Sequence, residues 1–161
     1  MELADFTTYD EVRAMLGVSD EDISDATLAL PVYIQSLQLD LETEYVDLAS
    51  TYLDYKDLAA PTANEQKLVN LVQVFSAYAT SKSLLASSTL FAPKQITDGR
   101  ASLIRFDASS DLRDDIDKAL VAIRRRLKLL LIALGLIAEE VVTTRNYFGV
   151  AGLAVDPITN V

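Results

Sequence analysis

Between Pro31 and Leu58 the apolar residues fall into two interleaved series. Ile34, Leu37, Leu41, Tyr45, Leu48, Tyr52 and Tyr55 recur at steps of three or four, which is one face of a helix. Val32, Leu39, Val46 and Leu53 recur every seven residues. At about 100° per residue the two lines lie roughly 150° apart. Asp40, Glu42, Glu44, Asp47 and Asp54 fall largely between them. Pro31 suits the first turn of a helix, where its missing N–H leaves nothing unpaired. The pattern predicts one long helix from Pro31 to Leu58 that needs cover on two sides.

Shorter signals precede it. Thr8-Tyr9-Asp10-Glu11 is a capping box, with the threonine as N-cap and the glutamate three positions on. Val12, Met15 and Leu16 follow at helical spacing, and Gly17 is placed to end the helix in the left-handed conformation. Ser19-Asp20-Glu21-Asp22 reads as a second cap opening a short helical turn, so the first 25 residues should hold two small helices.

After Ala60-Pro61 a second capping box, Thr62-Ala63-Asn64-Glu65, starts another helix, with Leu68, Leu71, Val72, Phe75, Tyr78 and Ala79 as its buried face. It should end near Ser87. The short connection predicts an antiparallel pair of helices. Residues 91–107 are irregular, with a turn signal at Asp98-Gly99 and a short strand or extended arm over Ser102-Leu103-Ile104-Arg105-Phe106. Caps between Asp107 and Ser110 open a last long helix. Its acids, Asp111, Asp114, Asp115 and Asp117, come early, and Arg124, Arg125, Arg126 and Lys128 come late, the order the helix dipole favours.

The expected fold is therefore all-α: short amino-terminal helices, long antiparallel helices, and an extended tail. A helical domain spans residues 1–140, and residues 141–161 form a docking arm. The stretch Asn146-Tyr147-Phe148-Gly149-Val150-Ala151-Gly152-Leu153-Ala154-Val155-Asp156-Pro157 has no helical period and is too apolar for a solvated tail. Asn146, Tyr147, Phe148, Leu153, Val155 and Ile158 are its candidate partner contacts. The run from Leu127 to Ala138 is apolar but only about ten residues follow Lys128, against about 20 for a membrane span.

Charge sharpens this picture. The chain of 161 residues carries a net charge of −10, unevenly placed. Residues 1–60 hold 14 acids against Arg13 and Lys56, whereas the remainder holds 10 acids and 12 bases. A general grip on nucleic acid is disfavoured, because the phosphate term needs clustered Lys and Arg. There is no Cys and no His, which excludes disulfides, Cys/His zinc sites and imidazole-based triads. The opening Met1-Glu2-Leu3-Ala4-Asp5 has no cationic segment, so no signal peptide is expected.

Catalytic chemistry finds little footing. Asp114-Asp115, Glu139-Glu140 and Glu42/Glu44 are paired carboxylates, but helical neighbours point apart and acidic helix starts are common. No phosphate loop and no EF-hand spacing is present, and no cofactor is expected. In the basic cluster only Arg124 and Lys128 share a face. They would pair with Asp117 and nearby acids, or meet the acidic first half of a neighbouring subunit. With Val32, Leu39, Val46 and Leu53 they are the candidate subunit interface. Tyr45, Tyr52 and Tyr55 suit edge packing, their polar tips compatible with an interface.

The layout resembles the head–tail connector (adaptor) proteins of tailed bacteriophages. The likeness is carried by the opening Thr8-Tyr9-Asp10-Glu11-Val12-Arg13-Ala14-Met15-Leu16-Gly17-Val18, the acidic short helix after it, the long helix pair, the linker Gly99-Arg100-Ala101-Ser102-Leu103-Ile104-Arg105-Phe106, the final long helix and the projecting tail. The resemblance implies a non-enzymatic virion protein, assembled in the host cytoplasm. It would form a homo-oligomeric ring, usually of twelve copies, beneath the portal. It would join the portal to tail or nozzle proteins while DNA passes through the channel without sequence-specific binding. The alternatives are a small acidic helical interaction module, such as a dimeric regulator with a basic partner, and a metal-dependent carboxylate enzyme.

Overall fold

The computed structural model describes residues 1–86, 96–98, 101–103 and 109–138. Residues 139–161, with every candidate contact of the docking arm, lie outside that set. The chain opens with a 3-10 turn, Leu3–Asp5, followed by α1 (Tyr9–Leu16) and the single-turn α2 (Asp25–Leu28). Next come α3 (Pro31–Glu44), α4 (Leu48–Lys56) and α5 (Ala63–Ala86). Strands β1 (Ile96–Asp98) and β2 (Ala101–Leu103) precede α6 (Ser109–Ala133). Apart from that antiparallel pair, which joins Ile96 to Leu103 and Asp98 to Ala101, the described elements are helical. Of the Asp98-Gly99 signal, Asp98 ends β1, and residue 99 lies outside the described set. Of the stretch expected as a strand or arm, Ser102 and Leu103 are in β2, and residues 104–106 lie outside the described set.

Local signals behave as the sequence indicates. The Thr8 box is closed in both directions, with Thr8 N–H on Glu11 at 2.9 Å and Glu11 N–H on Thr8 Oγ1 at 3.2 Å. The Thr62 box is likewise closed, at 2.6 and 3.4 Å. Gly17 takes φ +66°, and the N–H groups of Gly17 and Val18 return to the carbonyls of Ala14 and Arg13. This double return is the Schellman arrangement, which a left-handed glycine permits. Ser19 caps a turn through Asp22, but α2 itself starts later, under Ser24.

The single helix expected from Pro31 to Leu58 is instead two. Tyr45 is extended (φ −161°, ψ 130°), and α4 begins again after Asp47. Three local causes converge at the break. Glu42, Glu44 and Asp47 crowd acids onto a helix C-terminus, where the dipole disfavours them. Thr43 and Val46 are β-branched and weak helix formers. Ser50 Oγ also donates to the Asp47 carbonyl at 2.9 Å, holding the new start. A non-local gain completes the account: α4 brings Tyr52 onto Phe6, with ring centres 5.2 Å apart and planes at 22°. Tyr52 Oη and Lys56 Nζ both donate to the Asp5 carbonyl, at 3.0 and 2.6 Å. The first six residues are thereby clasped into the core, with Leu3 and Phe6 buried.

The helix covered on several sides is α5, against which α1, α3, α4 and α6 all pack. Its buried set is Leu68, Val69, Val72, Phe75, Ala77, Ala79, Leu84 and Leu85, with the polar Ser76, Thr80 and Ser81. Small side chains let neighbouring helices approach. Ser76 Oγ and Ser81 Oγ donate back to Val72 and Ala77 carbonyls at 2.7 and 2.8 Å, so these hydroxyls are buried with a partner. α6 meets α5 through Ile116, Leu120, Ile123, Leu127 and Leu131, at steps of three and four. Beyond Ala133, Gly135 at φ +71° turns the chain, with Gly135 and Leu136 N–H returning to Ile132 and Leu131. The apolar run to Ala138 is therefore a helix followed by a capped turn. Among the described residues no helix is long and apolar enough to cross a membrane.

Candidate functional site

Of the two apolar lines read between Pro31 and Leu58, the first is inward. Leu37, Leu41, Leu48 and Tyr52 are buried, and Ile34, Tyr45 and Tyr55 are half-buried at the margin. Tyr52 is a core residue whose hydroxyl is spent on Asp5, so the tyrosines pack rather than form a platform. The second line stays outside. Val32, Leu39 and Val46 are 58%, 65% and 76% exposed, while Leu53 is half-buried against the core. No described part of the chain covers the first three. The break at Tyr45 separates Leu53, which goes with α4, from the pair Val32 and Leu39 on α3.

A second apolar surface lies between α5 and α6. Lys67, Asn70, Leu71 and Val74 on α5 and Ile123, Arg126, Leu129, Leu130 and Ala133 on α6 line a groove of about 550 Å³. Val74 and Leu129 are 43% and 62% exposed within it. Two cations and no acid stand among the lining residues. The sequence signal for this groove is the apolar residues off the core face of α6, chiefly Leu129, which the reading of the buried stripes passed over.

The basic cluster is divided. Arg124 turns to α3, its Nε 2.8 Å from Glu44 Oε1 and its Nη2 3.8 Å from Asp40 Oδ1. The Nε–H points off the line to Glu44, so the contact is an ion pair rather than a directed hydrogen bond. The guanidinium also stands 5.8 Å from the Phe75 ring centre. The acidic first half that Arg124 meets here is its own. Asp117, read as its intrahelical partner, pairs with Lys82 of α5 at 2.7 Å instead. Arg125, Arg126 and Lys128 are exposed.

A third feature is the cleft between α1 and α2, lined by Asp10, Arg13, Ser19, Asp20, Ser24 and Asp25 among others. Arg13 fills its base. Its guanidinium bonds the Ile23 carbonyl at 2.9 Å, Asp10 at 3.0 Å, and Asp25. Hydrogen bonding to Asp25, and then to Asp10, holds the Arg13 pKa above its usual value against the cost of burial. This arrangement ties α1 to α2 and neutralises two of the acids. Nearby, the Thr8 backbone N–H, with the Thr7 and Thr8 hydroxyls, holds the Glu11 carboxyl below its usual range. Among the described residues no group of three or more acids is placed to hold a metal ion.

No protein-family model, curated protein or solved structure compared with the chain matches it.

Proposed function

We propose that the chain is a head-to-tail adaptor of a tailed bacteriophage, a virion component whose copies close into a ring beneath the portal. The observation that carries this reading is the pairing, on one small helical body, of two separate apolar surfaces that no described residue covers. Val32, Leu39 and Val46 stand out on one, and the α5–α6 groove is the other. Two different surfaces suit head-to-tail contacts, which close into a ring when the rotation permits. The order of elements also suits it: small opening helices, α3 and α4 packed on α5, a linker with extended segments, and a last long helix. The acidic first half suits a channel wall that lets DNA slide without gripping it. Residues 141–161 would be the arm that engages the portal.

The test is to mix the purified chain with a portal protein from the same genome and measure mass and symmetry by native mass spectrometry and electron microscopy. A ring, expected with twelve copies, on the tail-facing end of the portal is the predicted result. A stable monomer or dimer with no portal-bound ring overturns the reading. A dimer that binds basic proteins would favour an acidic interaction module, for which the surplus of acids over residues 1–60 is the supporting feature.

A further inference from the structure

We propose that α3 of one copy lays its Val32–Leu39 line into the α5–α6 groove of the next. The inference rests on the ring reading above and names the two surfaces that would meet. Spacing is the first argument. Val32 and Leu39 are seven residues apart, as are Lys67 and Val74 along the groove wall. Each interval is two helical turns, about 10.5 Å. A helix with anchors at i and i+7 is the element that a cleft between two helices accepts.

Charge is the second argument. Lys67 and Arg126 stand on the groove and no acid lines it. Along α3 the exposed acids nearest the apolar line are Glu42 and, just past the helix end, Asp47. Asp40 and Glu44 are already engaged by Arg124, so Glu42 and Asp47 remain to face a neighbour's cations. Topology is the third. α3 packs its Leu37–Leu41 line on its own core and contributes no residue to the groove, so one copy cannot fill its own groove with α3. The contact must therefore join two copies, and it closes a ring when it runs head to tail.

The chain contains no cysteine, so introduced thiols report without background. L39C and V74C, both at exposed positions, are purified separately with a D54C control and oxidised alone and mixed. The expected result is a disulfide-linked dimer in the L39C and V74C mixture well above either alone and above the control. Adding E42R to the L39C chain, or R126E to the V74C chain, should each reduce trapping several-fold, and the two together should restore it. Equal trapping in all combinations, or none above control, overturns the proposal. So does an intramolecular bond at monomer mass in a V74C/F148C chain, which would give the groove to the chain's own carboxy-terminal residues. Trapping that succeeds while no portal-bound ring forms would separate self-association, which stands, from the phage reading, which falls.

Discussion

Arg124 of α6 and Glu44 of α3 form an ion pair at 2.8 Å beside the ring of Phe75 in α5. One side chain thereby joins three helices and links the acidic first half of the chain to its only basic cluster. Half-exposed ion pairs are worth about 0.2–1 kcal/mol, and a cation over a ring adds about 0.5–1 kcal/mol. R124A should therefore lower the unfolding free energy in urea by about 1–2 kcal/mol, and E44Q by less than about 1 kcal/mol. R124K keeps the charge but not the planar fork and should recover only part. The coupling in the R124A/E44Q cycle should shrink at high salt; a coupling near zero at low salt would sink this account.

Tyr52 and Phe6 allow a cleaner separation of stacking from hydrogen bonding. Y52F removes one donor from the Asp5 carbonyl but leaves Lys56 on it, so no acceptor is orphaned and the loss should stay near 1 kcal/mol. F6A opens a cavity under a fully buried ring and should cost about 3–5 kcal/mol. Thermal unfolding followed by circular dichroism measures both. Equal losses would mean that the ring stack contributes little.

Within one copy the helix covered on several sides is α5, and substitution can show this directly. A79L forces three extra carbons into a site that is 3% exposed and should destabilise by about 1–3 kcal/mol or more. L39A, on the outer line of α3, should stay within about 0.5 kcal/mol of the parent as a monomer. A large loss from L39A in a dilute, monomeric sample would contradict the exposed position of that residue.

Gly17 and Gly135 both sit at positive φ, and a Cβ at either would meet nothing within 4 Å. Alanine there would be opposed by backbone strain alone, about 1–2 kcal/mol at each site. Asparagine, which tolerates the left-handed region, should recover part of that loss. A neutral G135A would mean that α6 simply continues when the glycine is removed.

Glu11 gives the pH dependence a sign. Its folded pKa lies below the unfolded value, so its contribution is present above the ordinary carboxylate range and is lost as pH falls through the folded value. E11Q should narrow the stability gap between neutral and acidic solution, and T8A should lower stability by about 1 kcal/mol at neutral pH. Urea titrations across the acid range read both effects; an E11Q curve parallel to the parent would refute the assignment.

What could be read in advance was local. Both capping boxes and the Gly17 stop involve residues within a few positions of each other, so sequence spacing determines them. The inner stripe of α3 and α4 was also legible, because burial follows helical periodicity whatever covers it. The interruption at Tyr45 was not, since the apolar series runs straight through it and the stack of Tyr52 on Phe6 that favours it spans most of the amino-terminal half. The central place of α5 had a quiet signature in Ser76, Ala77, Ala79, Thr80 and Ser81, five small residues, three of them hydroxylic, that apart from Ala79 lie outside the apolar stripe. The pairing of Arg124 with Asp40 and Glu44 was not legible either, because those partners lie far back along the chain while Asp117 stands close by in sequence. The groove was missed for a related reason: Val74 and Leu129 fall outside both core stripes, and only the pairing of α5 with α6 makes them neighbours.

The bond from Ser81 Oγ to the Val12 carbonyl, at 3.4 Å, sets a timetable for synthesis. Helix α1 emerges from the ribosome early, yet the helix it rests on is translated much later. Until then α1 lacks the helix it packs against, and it is far too short to persist by itself. The amino-terminal third must therefore wait, acidic and open, for the middle of the chain to arrive. Its surplus of negative charge, 14 acids against two bases over residues 1–60, opposes the close approach of two such open segments.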